Sequence, residues 1–244
     1  MVDYVAEFKS ELGEVEKLID TPEFMRKHAL GVLRGILKQQ IPHSSKRIVD
    51  NGIQTLINIQ DSSIKNNYEV IYSQSCVLAV SILSAKIEKY FINYGNTNWD
   101  KVDVTKKAKE LKFSLGELAE YGFNLRPLIM TSIKGKDSAI SFQDLLSTKR
   151  TFEEYFHKEI SLNENVEKQI IFYQHCRHNI VHLASVVDEN FLSRVDKKDA
   201  NIKNYKVGDE IKLNGTDWKQ IKASFTELIS TLVQPSSAEL SESA

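Results

Sequence analysis

Three of the six histidines in this chain fall within eight residues, in the segment HCRHNIVH at positions 175–182. An α-helix turns by about 100° per residue, so His175, His178 and His182 would share one face of a helix. Arg177 lies well round from that face, but its side chain is long enough to bend toward it. Because histidine titrates near neutral pH and arginine keeps its charge, this segment carries the strongest chemical signal in the sequence.

Three interpretations of this histidine segment are open from the residues alone. The first is a row of polar surface side chains beside a buried face, which is the ordinary explanation for any single histidine. The second is a metal site, because His178 and His182 have the i, i+4 spacing that zinc sites use. No glutamate lies between these two histidines, and no cysteine or carboxylate stands nearby with ligand spacing. We therefore expect no metal and no other cofactor.

The third interpretation is metal-free phosphoryl chemistry. An imidazole can take a proton from a ribose 2′-hydroxyl or deliver one to a leaving oxygen. A guanidinium group beside it binds the phosphate through two hydrogen bonds and stabilises the charge that develops in the transition state. Arginine and histidine together could therefore cut RNA by transesterification. A single chain lacks a second proton carrier, and a two-fold dimer would supply one by repeating each residue across the axis.

The segment RHNIVH, residues 177–182, reads as arginine, a polar residue, three variable residues and histidine. This pattern resembles the arginine–histidine signature of the HEPN superfamily, in which four to six residues separate the two. The continuation HLASVVDENFL (182–192) resembles the run after that motif in bacterial HEPN proteins of the RiboL-PSP and MAE-type groups. Residues 70–91 are similar to their first long helix, and the resemblance extends over residues 65–232.

The resemblance implies an all-α, HEPN-type helical bundle with two long central helices, which forms a homodimer and brings both copies of the motif into one cleft. It also implies a metal-independent endoribonuclease acting on RNA, of the kind found among toxins and antiviral defence effectors. An antitoxin or another regulatory partner could restrain such an enzyme. Arg177 would bind the phosphate, His182 would be the acid–base residue, and His178 would orient them or contact the RNA.

Three further side chains complete the predicted site. Asn179 and His175 are assigned by proximity as substrate contacts. Glu88, on the first long helix, is a supporting acid, for which a purely structural ion pair with Arg177 is the alternative. In HEPN toxins controlled by a nucleotidyltransferase partner, a tyrosine stands two residues after the motif histidine, and here that position is Ala184. The alternative function is a non-catalytic HEPN module that binds a nucleotide or a partner protein in the same cleft.

Hydrophobic residues at spacings of three and four predict helices through most of the chain. Thr21 is predicted to cap the second helix, with Pro22 at its first position. The two long central helices are predicted over 67–94 and 163–187. The other predicted helices cover 2–19, 22–41, a segment that begins at Ser44 or Ser45, 141–156 with Ser141 as its cap, and 216–233 with Thr216 as its cap. One or two shorter helices are predicted over 101–121. An irregular connection is predicted over 122–137, and a small strand or extended loop over 204–215.

The composition is that of a soluble globular protein, with 41% hydrophobic and 27% charged residues. A net charge of −1 excludes a broadly basic nucleic-acid coat. The two cysteines are too few for a disulfide framework, and the N-terminal segment lacks a signal-peptide apolar core, so we expect a cytoplasmic protein. We predict an N-terminal helical region of unassigned role (1–62), a HEPN-like domain (63–233) and a disordered tail (234–244).

Overall fold

The computed structural model describes residues 3–39, 42–58, 63–103, 112–136, 140–195 and 205–234. Within these ranges the chain is an all-α helical bundle, which confirms the predicted fold class. Its helices are α1 (Tyr4–Leu37), α2 (His43–Asn58), α3 (Ser63–Thr97), α4 (Leu115–Glu120), α5 (Leu125–Lys136), α6 (Leu145–Phe156), α7 (Glu164–His182), α8 (Glu189–Arg194) and α9 (Gly215–Val233). A short 3-10 turn, Trp99–Lys101, follows α3.

Helix α3 is the central helix and packs against α1, α5, α7 and α9. Its buried side chains recur every three or four residues: Cys76, Ala79, Val80, Leu83, Ile87 and Phe91. Tyr68–Thr97 is also long and apolar enough to cross a membrane by length and composition, and 44% of its most apolar stretch is buried inside the bundle. Core helices of soluble proteins and membrane-spanning helices both meet these criteria, and α3 is in contact with four other helices of the bundle.

Helix α1 continues through the point where the sequence predicts a boundary between two helices. Thr21 does not cap a new helix, because its hydroxyl donates to the carbonyl of Lys17 at 2.6 Å within the same helix. Pro22 lies inside the helix, where the lost backbone hydrogen bond and ring clash cost about 3 kcal/mol. Buried Ile19 and Leu30, one on each side of Pro22, anchor both halves and offset that cost.

The boundary predicted at residue 62 does not separate two cores. Phe8, Leu12, Val15 and Ile19 of α1 belong to the same hydrophobic cluster as the buried residues of α3, α7 and α9. The buried ammonium of Lys86 on α3 also pairs with Glu7 and Glu11 of α1, at 3.2 and 2.8 Å. The first half of α1 is therefore part of the bundle that carries the motif.

Helix α5 occupies most of the segment for which the sequence predicts an irregular connection. Pro127 lies in its first turn, where a missing N–H costs no hydrogen bond, so this proline is compatible with a helix. Met130 of α5 packs closely on Gly95 of α3, at which a Cβ atom would lie 2.4 Å from the Met130 Cε. Of the one or two helices predicted over 101–121, the described residues contain α4, and 104–111 lie outside them.

Two other helices begin one or more residues away from the predicted cap. Helix α6 begins after Asp144, whose carboxylate accepts from the Ser147 N–H at 2.7 Å, and not at Ser141. Helix α9 begins after Asn214, which forms a capping box with Asp217, in place of the predicted cap at Thr216. The predicted disordered tail lies outside the described residues from residue 235 onward.

Candidate phosphate-binding site

Helix α7 carries the motif, and its buried face fixes the direction of the motif side chains. Phe172, Tyr173 and Cys176 are buried in the core. The thiol of Cys76 on α3 donates to the Tyr173 carbonyl at 3.6 Å, and the Tyr173 hydroxyl donates to Gln220 Oε1 of α9 at 2.6 Å. With this face turned inward, helical geometry turns the histidines toward solvent.

Helix α7 ends at His182, five residues before the predicted end. Ala184 and Ser185 have positive φ values of 50° and 67°, which are incompatible with a continuing helix. Asn179 fixes this turn. It is 1% exposed, and its Nδ2 donates to the Val186 carbonyl at 2.8 Å and to Asp188 Oδ1 at 3.3 Å. The amide is thus directed inward, and Asn179 shapes the loop after the motif without lining the pocket described below, contrary to its predicted role as a substrate contact.

The segment 205–214 holds this loop from its other side. The Val187 N–H donates to the Asp209 carbonyl at 2.9 Å, and the Ile211 N–H donates to the Ser185 carbonyl at 2.8 Å. The strand or extended loop predicted over 204–215 forms, within its described part, one isolated antiparallel bridge between Val186 and Glu210. These backbone contacts fix the chain that follows His182.

A pocket of about 230 Å³ opens beside α7. Helix α7 contributes Gln174, His175, Arg177 and His178 to its lining. The remaining lining residues come from the start of α6 and from α8: Gln143, Asp144, Asn190 and Arg194. His182 lies outside the lining, but the centroid of its ring is 4.9 Å from that of His178. The structure therefore brings four of the predicted site residues together, three around the pocket and His182 adjoining them.

The histidines of this site differ in their surroundings. His178 and His182 are exposed, so a ligand in solution can reach them. His175 is half-buried, and burial followed by the nearby Arg194 lowers its pKa, although Asp144 and Asp188 act in the opposite direction. The neutral form of His175 is therefore favoured near neutral pH.

Arg177 is half-buried, and its Nε has no hydrogen-bond partner among the described residues. A buried guanidinium N–H without an acceptor is unusual, because the desolvation of a charged donor is costly. A ligand oxygen would supply the missing acceptor. This is the property that a phosphate-binding arginine requires.

Glu88 lies too far along α3 to support Arg177. Cys76 contacts Tyr173, and Glu69 and Ser73 share a second pocket with Ile180, so α3 and α7 run antiparallel. Glu88 follows Cys76 by twelve residues, which is about 18 Å along the helix, in the direction away from Arg177. The predicted supporting role of Glu88 and its ion pair with Arg177 are therefore wrong.

Few side chains at this site are suited to thiol or metal chemistry. Cys76 and Cys176 are both buried, and burial raises the pKa of the Cys76 thiol far above its usual range. Among the described residues, no group of three or more histidine, cysteine or acidic side chains is arranged to hold a metal ion. The prediction of a metal-free, cofactor-free site stays a prediction, which a chelator can test.

The sequence reasoning did not identify Gln174 and Arg194. Gln174 stands three residues before Arg177 and four before His178, so helical spacing alone places it on their side of α7. Arg194 reaches the pocket only because the chain reverses after His182 and forms α8. No spacing within the sequence reveals that reversal.

Comparisons of this chain with family models, curated proteins and solved structures give no match. The function is therefore inferred from the residues of the site and from their geometry.

Proposed function

We propose that this chain is a metal-independent endoribonuclease of HEPN type, which cuts RNA by attack of a 2′-hydroxyl on the adjacent phosphodiester. One observation carries the proposal. Arg177 and His178 line the same pocket, and the ring of His178 contacts that of His182, so a guanidinium and two accessible imidazoles lie together at the end of α7. These are groups that RNA transesterification uses to bind the phosphate and to move protons.

In the proposed reaction, Arg177 binds the non-bridging oxygens of the scissile phosphate and stabilises the additional charge of the transition state. A neutral His182 imidazole takes the proton of the 2′-hydroxyl, and the bond between O2′ and phosphorus forms. The bond between phosphorus and O5′ breaks, and a protonated imidazole donates a proton to the leaving O5′. The products are a 2′,3′-cyclic phosphate and a free 5′-hydroxyl.

A homodimer would complete this chemistry. Three apolar side chains beside His182 are exposed to solvent: Val181, Leu183 and Val186. Val70 of α3, also exposed, lines the neighbouring pocket with Ile180 and extends the same surface. Exposed apolar side chains around a polar site are typical of an interaction surface. A two-fold axis near His182 would bring two sets of motif side chains into one cleft and provide one imidazole as base and another as acid.

The test is RNA cleavage by the purified chain and by two variants, Arg177→Ala and His182→Ala. Each variant should abolish cleavage, whereas His43→Ala, which removes an exposed histidine of α2, should cut like the parent. Circular dichroism and sedimentation should show unchanged helix content and association. Cleavage should persist in EDTA, and the products should carry 2′,3′-cyclic phosphates. A strict metal requirement, or full activity in both motif variants, would contradict the proposal.

The second candidate function is a non-catalytic HEPN module that binds a nucleotide or a partner protein in the same cleft. The net charge of −1 favours this alternative, because a long RNA substrate is usually bound by an excess of basic residues. Expression in bacteria separates the two functions. A toxin or antiviral effector acting in the cytoplasm should inhibit growth, and its His182→Ala variant should not. A harmless parent that binds nucleotides would favour the module.

A further inference from the structure

The pocket beside α7 has several of its hydrogen-bond acceptors already in use. Gln174 Oε1 accepts from the backbone N–H of Leu145 at 3.0 Å. Asp144 Oδ1 accepts from a backbone N–H in the first turn of α6 at 2.7 Å. Asn190 Oδ1 accepts from Nε of Arg194 at 3.1 Å. These contacts hold the lining side chains in place and leave few acceptors for a ligand.

The donors of the same lining are less well matched. Gln174 is 7% exposed, and its Nε2 has no acceptor among the described residues. The Leu145 N–H determines which end of this amide is the oxygen, so the unmatched end is the N–H₂ donor. Arg177 Nε is a second buried donor without an acceptor. A native structure rarely leaves two such donors so close together, unless a ligand satisfies them.

The charges of the pocket favour the same kind of ligand. Arg177 and Arg194 contribute two positive charges against the one carboxylate, Asp144. The Asp144 charge is itself directed to the N-terminal N–H groups of α6. His175 and His178 add ring nitrogens that can donate. A nucleobase carries donors as well as acceptors, whereas a phosphate group only accepts, so the lining fits a phosphate better.

We propose that this pocket is a phosphate-binding subsite in which Gln174, His175, Arg194 and the Nε of Arg177 hold a second phosphate group, beside the one on which His182 and the outer guanidinium nitrogens of Arg177 act. The assignment of this phosphate to an RNA chain rests on the proposed function, whereas the binding of phosphate does not. The phosphate is either an internal phosphodiester next to the scissile one or a terminal phosphate at the end of the RNA. Both have the same acceptor chemistry.

The experiment measures binding by the intact chain without any cleavage. Inorganic phosphate is titrated into the parent by calorimetry, and the histidine ring signals are followed by NMR. The parent should bind phosphate and show a shifted His175 signal. Arg194→Gln removes an exposed guanidinium, and Gln174→Glu keeps the acceptor for Leu145 but replaces the N–H₂ donor by a carboxylate. Each variant should weaken phosphate binding at least about tenfold.

The control is Arg126→Gln, which removes an exposed arginine of α5 and should bind phosphate like the parent. The proposal is overturned if the parent does not bind inorganic phosphate, or if Arg194→Gln and Gln174→Glu bind it as well as the parent does. Three-nucleotide DNA probes, which lack the attacking hydroxyl and contain two internal phosphodiesters, identify the source of the phosphate. Stronger binding of the 5′-phosphorylated probe assigns a terminal phosphate, and equal binding assigns an internal phosphodiester.

The same variants keep this proposal separate from the nuclease proposal. If the parent cuts RNA, Arg194→Gln should raise KM about tenfold and leave kcat nearly unchanged, because Arg194 holds a phosphate that does not react. If the parent binds phosphate in this pocket but cuts no RNA, the subsite stands and the nuclease proposal fails.

Discussion

Two cations of this bundle, Lys158 and Arg177, have opposite surroundings. Lys158 is 3% exposed, and its ammonium donates to the carbonyls of Leu232 and Gln234 at 2.7 and 2.9 Å, and to the Tyr90 hydroxyl at 3.2 Å. It also lies 4.8 Å from the centroid of the Tyr94 ring. Every donor direction of Lys158 ends on the protein, at the end of α9, where helix carbonyls need partners.

Arg177 is half-buried, and its Nε finds no partner among the described residues. A buried charge is thus not by itself a sign of function, because Lys158 is satisfied by the fold and contributes to stability. Arg177 differs because its charged group has a buried N–H that the fold leaves without an acceptor. Substitutions of the two residues should therefore separate activity from stability, and the predictions below test that separation.

The largest effect is expected for Arg177→Ala. If the proposed nuclease function holds, the loss of this guanidinium should lower RNA cleavage by about 100-fold or more, since it removes stabilisation of the transition-state charge. The free energy of unfolding, measured with urea, should stay within about 0.5 kcal/mol of the parent value, because Arg177 Nε has no partner to lose. A large loss of stability would show that Arg177 is a structural cation like Lys158.

Lys158→Ala should have the opposite profile. It leaves the last carbonyls of α9 without a charged donor, so the unfolding free energy should fall by about 2–3 kcal/mol. Cleavage at a temperature where the variant is folded should equal that of the parent. Lys149→Ala, which removes a partly exposed ion pair with Glu167, is the control and should change stability by less than about 1 kcal/mol.

Asn179→Ala is expected to lower both the stability and the activity of the protein. Its amide supports the loop after His182, so the substitution should lower the unfolding free energy by about 1–3 kcal/mol. Cleavage should also fall, with kcat affected more than KM, because a displaced His182 still permits RNA to bind. Asn179→Asp keeps an acceptor but loses the donor to the Val186 carbonyl, and should behave like the alanine variant. Normal stability of Asn179→Ala would contradict the role assigned to the amide.

The smallest effect is expected for His175→Gln, on the pH dependence of the unfolding free energy. The folded protein holds the pKa of His175 below its unfolded value, so the unfolded state binds more protons between the two values. The contribution of His175 to stability is therefore complete above the unfolded pKa of about 6.5 and is lost as the pH falls through the folded pKa. Urea midpoints at about pH 7.5 and about pH 5 should differ less for His175→Gln than for the parent. An equal difference would exclude His175 as the cause.

The parts of the fold that the sequence predicted well are those fixed by hydrophobic spacing. Helices α3 and α7 follow from buried side chains at intervals of three and four residues. The wrong predictions are helix boundaries inferred from local sequence patterns, which tertiary packing overrides. Thr21 and Pro22 have the sequence pattern of a helix start, but buried side chains on both sides of them keep α1 continuous. Pro127 is compatible with α5 because it lies in the first turn of that helix.

The site residues likewise fall into those that helical spacing predicts and those that depend on tertiary packing. The residues of α7 were predicted from their spacing along one helix, and Arg177, His178 and His175 do line one pocket. Glu88 was misplaced because the sequence does not give the relative direction of α3 and α7. Arg194 and Asp144 were missed because they reach the pocket from other helices, after chain reversals that no local pattern encodes.

The segment 205–214 that fastens the loop after His182 does so largely with main-chain atoms, through the N–H groups of Val187, Gly208 and Ile211. The exposed side chains of this segment can therefore vary without disturbing the histidine, since the peptide groups are the same for nearly every amino acid. Two kinds of change are the exception: proline at Ile211, which deletes a donor, and any side chain at Gly208, whose φ is +91°. Tolerance to mutation is therefore broad at the exposed positions of this segment and narrow at Gly208 and at the buried Ile211 and Leu213.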